Sequence, residues 1–357
     1  MPINETYRTW IRRICELRPK QRKTQVQNFV WLLVGIFHSH SVSLSKIAGK
    51  VISSAKNVST VRRLSRFLAS AAVDVRSWYR STAKAWLKSQ LEQVGEIRLI
   101  VDGTKIGCGH QLLMVSLAYR RRAVPIAWSW VRHVRGHSTT MKQIRLLNYV
   151  RSLIPQKAPV FLVGDSEFGS MAVLQQLQEW RWFFVLRQKG NLGLWLEERT
   201  GWQRLDSLVQ TAGQSVWCPN GYLTQSDIFP VSVLIHWHRD EKEPWCLATN
   251  LPEASLTLRY YRRRMWIEEM FGDFKKHGFD LESTMLRNSP RLSRLTLAVA
   301  FLYIWLLSTG SRTIRAGLRH LVDRKDRRDL SLFQIGLRFI DRCLLHSRSF
   351  SLPLYSL

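Results

Sequence analysis

Hydrophobic periodicity between residues 97 and 189 alternates between the pattern of strands and the pattern of helices, and this alternation limits the possible folds more than any other feature. Residues 97–102 and 160–165 are apolar stretches of strand length that each end in an acid. The same pattern predicts strands over 112–119, 123–131 and 182–187, and helices over 141–153 and 171–180. Because three strands come first and helices then alternate with strands, the order predicts an α/β fold with a mixed sheet and helices on its faces.

The acids that end two of these strands, Asp102 and Asp165, are the first candidate site residues. An acid at a strand end is most often only part of a loop cap, so neither residue alone predicts a site. Sites of α/β folds do lie at the carboxyl ends of strands, and we therefore expect both carboxylates at one edge of the sheet. Glu167 is predicted to be a solvated loop acid rather than a spare ligand.

A predicted helix over residues 261–275 carries four polar residues at matching positions. At about 100° per residue, they lie within a stripe about 60° wide. Glu269 falls outside that stripe, so Glu268 is the better candidate of the two adjacent acids. The four residues of the stripe are Tyr261, Arg264, Glu268 and Lys275.

The chemistry of these residues favours a site for divalent cations. Two aspartates and a glutamate without histidine or cysteine offer the hard oxygen ligands that Mg²⁺ or Mn²⁺ prefers. Two such ions about 4 Å apart would support phosphodiester chemistry. The neighbouring Tyr261, Arg264 and Lys275 are then expected to hold phosphate oxygens, since arginine is suited to bidentate contact.

The charge of the chain predicts a polyanionic partner. Lysine and arginine exceed aspartate and glutamate by 54 to 26, a formal net charge of +28 in 357 residues. The aromatic content of 11%, with 15 tryptophans, argues against a disordered basic protein. We therefore expect a folded protein that binds double-stranded DNA, with the arginine runs 120–122 and 324–328 along the DNA backbone.

The first 95 residues are predicted to form a helical DNA-binding domain, since they carry 17 basic and 4 acidic residues at helical spacings. Residues 44–51, a turn over 53–59 and a helix beginning at Thr60 resemble a helix-turn-helix. The second helix would direct its basic residues outward into a groove of DNA. A solvated helix of an ordinary bundle fits the same pattern equally well. The outward residues are Arg62, Arg63 and Arg66.

The remaining boundaries follow from composition. We predict the catalytic core over 96–189 and 255–310, a β-rich insertion over 190–254, and a basic helical C-terminal region over 311–357. The apolar runs 29–37 and 295–307 are shorter than the roughly 20 residues of a membrane span, so both are predicted to be core helices and no membrane association is expected. Five dispersed cysteines and no apparent signal peptide favour the cytoplasm.

The residues of the polar stripe carry a resemblance to a known family. Tyr261, Arg264, Glu268 and Lys275 match the pattern Tyr-x2-Arg-x3-Glu-x6-Lys at every position. The chain thus resembles the DDE transposases of bacterial insertion sequences, in the insertion-sequence family numbered four. The resemblance extends over residues 97–307. It implies an RNase H-like core in which Asp102, Asp165 and Glu268 are the catalytic and metal-binding acids, with two Mg²⁺ or Mn²⁺ ions and no small-molecule cofactor.

The resemblance also implies a DNA hairpin in the reaction and a residue that receives a flipped base. Trp245 stands in the matching pattern Trp-x-Leu-x-Thr-x-x-Pro, while a tryptophan buried in the insertion is the competing interpretation. The expected function is cut-and-paste transposition by a bacterial, nucleoid-associated enzyme that acts as a homodimer on transposon ends and target DNA. The alternatives are a nuclease of the same fold without strand transfer and an inactive DNA-binding derivative, against which the three intact acids argue.

Overall fold

The computed structural model describes residues 2–106, 109–132, 138–198, 201–224, 226 and 228–354. Within these ranges every strand belongs to one sheet. The strands are β1 (Ile97–Ile106), β2 (His110–Tyr119), β3 (Arg122–Arg132), β4 (Val160–Gly164), β5 (Phe183–Gln188), β6 (Gly193–Trp195), β7 (Gln203–Arg204), β8 (Ser215–Leu223), β9 (Phe229–His236) and β10 (Trp245–Thr249). The helices are α1 (Pro2–Leu17), α2 (Lys23–Ser39), α3 (Leu44–Ala48), α4 (Asn57–Ala69), α5 (Val75–Val94), α6 (Thr140–Arg151), α7 (Met171–Glu179), α8 (Ala254–Tyr261), α9 (Met265–Phe274), α10 (Ser289–Arg315) and α11 (Leu332–Leu345).

The strand order of the sheet is β3-β2-β1-β4-β5-β10-β9-β8-β6-β7. Strands β1, β2 and β3 are antiparallel neighbours, whereas β4 and β5 run parallel to β1. Helices from both halves of the chain pack on these strands, among them α5, α9 and α10. The prediction of a mixed α/β sheet with helices on its faces is therefore confirmed.

The segment predicted as a β-rich insertion continues the same sheet. Strand β10 pairs antiparallel with β5, and β9, β8, β6 and β7 follow it outward. Because β10 is antiparallel to β5, its first residue, Trp245, lies at the edge where β5 ends. This edge is also the one at which β4 ends before Asp165.

The N-terminal helices share their core with α10. The ring of Phe29 on α2 packs edge-on against Phe301 at 5.6 Å, and Trp10 on α1 packs edge-on against Trp305 at 5.4 Å. The buried guanidinium of Arg294 on α10 donates hydrogen bonds to two backbone carbonyls at the C-terminal end of α4 and just after it, Leu68 and Val73. Helix α4 is thus held in a fixed position by the core of the protein.

Both long apolar runs are buried helices, as the sequence predicts. Residues 29–37 lie within α2 and are all buried. Among the described residues, α10 is the one helix long and apolar enough to cross a membrane, and 89% of its most apolar stretch is buried inside the protein. Its burial explains its composition, because a helix that is apolar on every side can lie in a protein core.

Two elements differ from their predicted bounds. Strand β1 continues four residues beyond Asp102, because β2 remains paired with it as far as Ile106 and His110. The predicted helix 261–275 is divided by a 3-10 turn over Arg262–Arg264, which separates α8 from α9. Local periodicity does not show that β2 pairs with the end of β1, nor that the helix tightens into a 3-10 turn. Neither difference could therefore be predicted from the sequence.

The C-terminal region is anchored by a close crossing of α10 and α11. A Cβ atom on Gly310 would lie 2.0 Å from the carbonyl oxygen of Leu332, and one on Gly336 would lie 1.9 Å from that of Leu306. Since real Cβ atoms do not approach backbone oxygens so closely, glycine at both positions is what allows the two helices to touch.

We expect Gly336→Ala to lower the free energy of unfolding by about 1–3 kcal/mol or more, since the added methyl must push α11 away from α10. Chemical denaturation of the full chain measures the change. Gly49→Ala is the matched control, because Gly49 has a helical φ of −70° and its Cβ would meet its nearest atom at 3.5 Å. Equal stability of Gly336→Ala and the wild type would contradict the close crossing.

Candidate active site

A single guanidinium joins two of the three predicted acids. Nη1 of Arg264 lies 3.0 Å from Oδ2 of Asp102 and 2.8 Å from Oε1 of Glu268. Arg264 belongs to the 3-10 turn before α9, and Glu268 follows one helical turn later. The spacing that the sequence singled out therefore does bring Arg264 and Glu268 to Asp102, although the helix is not continuous.

Asp102 is the most buried of the three acids. It lies in β1, and its Oδ1 atom accepts a hydrogen bond from the backbone N–H of Gly103 at 2.7 Å. Burial raises the pKa of Asp102 to about 7, although Arg264 opposes this shift. The negative charges of Asp165 and Glu268 raise the pKa of Asp102 further, so both acids lie close enough to act on it electrostatically.

Asp165 follows the last residue of β4. Val101 of β1 pairs with Gly164 of β4, so Asp102 and Asp165 come directly after paired residues on adjacent parallel strands. Asp165 is half-buried and lines a cleft with a volume of about 600 Å³. The register therefore places the two residues at one level of the sheet, although only Asp165 stands at the end of its strand, because β1 continues beyond Asp102.

Tyr261 and Trp245 extend the site toward β10. The rings of the two residues pack edge-on with centroids 5.2 Å apart, and Tyr261 also lies under the guanidinium of Arg264 at 5.9 Å. Burial raises the pKa of Tyr261 to about 12. Trp245 is only half-buried, so its environment differs from that of a tryptophan in the closed core.

Lys275 lies apart from this group. It follows the last residue of α9, and its ammonium forms an ion pair with Glu282 at 3.2 Å. Seven residues separate it from Glu268, or about 10 Å along a helix. The structure therefore brings together Tyr261, Arg264 and Glu268, while it places the fourth residue of the stripe in a separate ion pair.

The three arginines of α4 do not share one orientation. Arg62 and Arg66 are exposed, as predicted. Arg63 instead turns toward α2, where it donates hydrogen bonds to Asn28 and Gln27 and stacks over the ring of Trp31 at 4.3 Å. The expectation that Arg63 points outward is wrong, because polar partners on α2 bind its guanidinium.

Glu167 is a structural residue that the sequence did not reveal. Its carboxylate accepts hydrogen bonds from the side chain of Gln111 at 2.7 Å and from both the backbone N–H and the hydroxyl of Ser138. The interpretation of Glu167 as a solvated acid is therefore wrong. These bonds join β2 to the turn after Asp165, and they hold that turn in place.

Basic residues at the end of β5 were also missed. Arg187, Lys189 and Lys242 line the cleft that contains Asp165. Arg187 is positioned by the pairing of Leu186 with Gly164, and it forms an ion pair with Glu243. No local motif marks these residues, since the pairing of β4 with β5 is what brings them to the site.

The carboxylates of Asp102, Asp165 and Glu268 suit a divalent cation, but their side chains are not arranged as the ligands of one ion. Among the described residues, no group of three or more histidine, cysteine, aspartate or glutamate side chains is arranged to hold a metal ion. The guanidinium of Arg264 lies where Asp102 and Glu268 come together. Carboxylate oxygens are the ligands that Mg²⁺ prefers, so the residues fit the ion once Arg264 leaves at least one carboxylate.

We expect Asp102→Asn to raise thermal stability at pH 8 in the absence of divalent cations. The pKa of Asp102 is about 7 in the folded protein and about 3.8 when unperturbed, so its folded form binds a proton more tightly. Its contribution to stability therefore falls as pH rises from about 4 to 7. Thermal melts in chelator from pH 4 to 8 should show the variant gaining on the wild type as pH rises. A gap that is independent of pH would contradict the shifted pKa.

Comparison with known proteins identifies the family of the domain that contains this site. The family model described as the transposase DDE domain matches residues 95–305, which include all three acids. None of the curated proteins matches the chain. A solved structure that is similar to it, the piggyBac transposase synaptic complex with hairpin DNA determined by cryo-EM, has 11% sequence identity and a TM-score of 0.42, over 97% of this chain and 77% of that chain. Because the matched domain spans more than half of its length, the chain belongs to the transposase DDE domain family.

Proposed function

We propose that the protein is an insertion-sequence transposase that binds the element's ends, cleaves them and transfers the strands into target DNA. Membership of the family implies a polynucleotidyl transferase. The observation that carries the proposal is the meeting of Asp102 and Glu268 on Arg264 within the matched domain, with Asp165 at the same level of the sheet. Asp165 and Glu268, from two further elements, lie close enough to Asp102 for their charges to raise its pKa.

The core of the proposed enzyme is RNase H-like. The strand order β3-β2-β1-β4-β5, with β2 antiparallel to β1 and with β4 and β5 parallel to it, supports this assignment. Asp102 and Asp165 then stand on the central pair of strands. Glu268 approaches them from α9.

Proteins with DDE transposase domains use divalent metal ions, and in this chain Asp102, Asp165 and Glu268 would hold two Mg²⁺ or Mn²⁺ ions. Such ions stabilise negative charge on the attacking and leaving oxygens of a phosphodiester. Arg264, once released from a carboxylate, is placed to bind a phosphate oxygen of the substrate. Lys189 and Lys242, which line the cleft of Asp165, are placed to hold the DNA backbone beside it.

A hairpin route is proposed for the cleavage of the element's ends. Trp245 lies at the catalytic edge and packs against Tyr261, which in turn neighbours Arg264. A half-buried indole at this place can receive a base that leaves the stack when the strand folds back. A base stacked there would direct its phosphate toward Arg264.

The remaining partners follow from this function. We propose that the exposed Arg62 and Arg66 of α4 contact the element's ends, and that two copies of the chain act together on a pair of ends as a homodimer. An enzyme of this kind would act on the bacterial chromosome in the cytoplasm.

We expect Asp102→Asn, Asp165→Asn and Glu268→Gln each to abolish Mg²⁺-dependent cleavage of end DNA. Each change removes a proposed metal ligand and leaves the DNA-binding surfaces intact, so affinity for DNA should stay within a few-fold of the wild type. Glu269→Gln is the matched control, since Glu269 binds Arg122 rather than Arg264. A variant that still cleaves substantially in Mg²⁺ would remove its residue from the catalytic group.

We expect Trp245→Ala to reduce hairpin formation more than the initial nick. Stacking of a base on an aromatic ring is worth roughly 1–3 kcal/mol, so the loss should be about tenfold to a hundredfold in hairpin product. Labelled end DNA allows nicked and hairpin products to be measured in the same reaction.

Trp195→Ala is the control for this experiment, because Trp195 is also half-buried but packs against Tyr222 in the outer part of the sheet. It should leave the ratio of hairpin to nick unchanged. Equal losses of both products in Trp245→Ala, or no loss of either, would contradict a base-receiving role for this tryptophan.

A further inference from the structure

Several cations in this chain occupy backbone conformations that suit glycine. Among the described residues, nine other than glycine have positive φ, and four of these are basic. The left-handed region brings Cβ close to a carbonyl oxygen, so a side chain there costs free energy that glycine avoids. Basic side chains have been placed where stability alone would favour glycine or asparagine. The four residues are Arg120 (φ 45°), Arg121 (φ 62°), Lys157 (φ 60°) and Arg181 (φ 56°).

These four residues lie along one edge of the sheet. Arg120 and Arg121 form the two-residue turn between β2 and β3, where Asn-Gly is the usual choice. Lys157 precedes β4 by three residues, and Arg181 precedes β5 by two. Because β2 is antiparallel to β1, while β4 and β5 are parallel to it, all of them stand at the edge where β1, β4 and β5 begin.

Three of the four side chains are free to bind a ligand. Arg120 donates a hydrogen bond to the hydroxyl of Ser311 at 3.0 Å and is thereby held by α10. Arg121, Lys157 and Arg181, which we call the basic rim, are exposed, and none of their side chains has a hydrogen-bonding or ionic partner among the residues that the structure describes.

A cleft accompanies the basic rim. Lys157 and Arg181 line a depression of about 770 Å³ that also contains Arg151, and no acidic residue lines it. The guanidinium of Arg151 lies over the ring of Trp180 at 5.3 Å. Glu96 lies near this edge, one residue before β1. Its negative charge is already paired, because its carboxylate binds Arg98 and the hydroxyl of Tyr260.

We propose that the basic rim binds the phosphate backbone of duplex DNA at a place separate from the catalytic edge. The cleft of Lys157 and Arg181 lies at the start of β4 and Asp165 follows its end, and the five residues of this strand span about 16 Å. From the turn of Arg121 to the start of β5, the rim extends across roughly 15–20 Å at the usual spacing of strands. A row of unpaired cations of this length matches a stretch of about five base pairs, since each strand places one phosphate about every 3.4 Å of the helix axis.

The geometry favours duplex over single-stranded nucleic acid. Single strands are held by stacking bases on free aromatic faces. At this edge Arg151 covers Trp180, Trp182 is buried, and Phe183 stacks against Phe161 at 4.7 Å. Phe183, which is 38% exposed, and the half-buried Trp180 each have one ring face covered, so contact of the exposed cations with the backbone is the main interaction that this surface offers.

This inference rests on the proposed function only in taking DNA as the polyanion. The test compares three full-length proteins: the wild type, the triple variant Arg121→Gly/Lys157→Gly/Arg181→Gly, and the charge-preserving triple variant Arg121→Lys/Lys157→Arg/Arg181→Lys. Affinity for a duplex of about 40 base pairs of arbitrary sequence is measured across a series of salt concentrations, and the thermal midpoint is measured in parallel.

We expect the affinity of the glycine variant to fall tenfold or more at about 0.1 M salt. The slope of log affinity against log salt should also become shallower by about 2–3, since each lost phosphate contact removes about 0.9 from it. Its thermal midpoint should be unchanged or higher, because glycine relieves the left-handed residues. The charge-preserving variant should bind like the wild type. Ser347→Gly, at another left-handed position (φ 50°), should gain stability and keep full affinity.

The possible failures are distinguishable. A glycine variant that binds DNA with unchanged affinity and slope overturns the basic rim and leaves the proposed function standing. A glycine variant with a lower thermal midpoint shows that the three residues serve the fold, which also overturns the inference. A wild-type protein that does not bind duplex DNA at low salt overturns both the rim and the proposed function.

Discussion

The contact of the Arg264 guanidinium with two carboxylates is the interaction on which the site depends. Asp102 is largely buried while the side chain of Glu268 is 46% exposed, so without a cation between them the charge of Glu268 would add to the cost of ionising the buried Asp102. Under the proposed function, Arg264 neutralises in the free protein the carboxylates that divalent cations would bind in the working enzyme, so at least one of its two contacts must open for an ion to bind.

A second arginine fixes the other side of the same helix. Arg122, at the start of β3, lies 3.1 Å from Glu269 and 3.5 Å from Asp273, residues that are four apart on α9. Burial raises the pKa of Asp273 to about 7, and Arg122 opposes that shift. The prediction that Arg122 follows the DNA backbone is therefore wrong, because its guanidinium is bound by acids within the protein. Arg122 thus binds two acids of α9, and Arg264 binds Glu268 on the same helix, while the apolar residues of α9 pack in the core.

The sequence predicts those features that depend on spacing along the chain. The strands around Asp102 and Asp165 and the meeting of Arg264 with Glu268 follow from local periodicity. The partner of Arg63, the anchoring of Glu167 and the extension of β1 to Ile106 depend instead on residues that are distant in sequence. Pairing of β10 with β5 likewise joins the predicted insertion to the core sheet, and no local pattern contains that information.

The central claim, that Asp102, Asp165 and Glu268 form one site for divalent cations, is tested most directly by mapping where a bound ion sits. Fe²⁺ exchanged into an Mg²⁺ site and treated with ascorbate and peroxide generates radicals that cut the nearby backbone. The full-length protein should be cut near residues 102, 165 and 268, and excess Mg²⁺ should suppress all three cuts together. Cutting near only one of these residues, at unrelated positions, or without competition from Mg²⁺ would contradict a shared metal site.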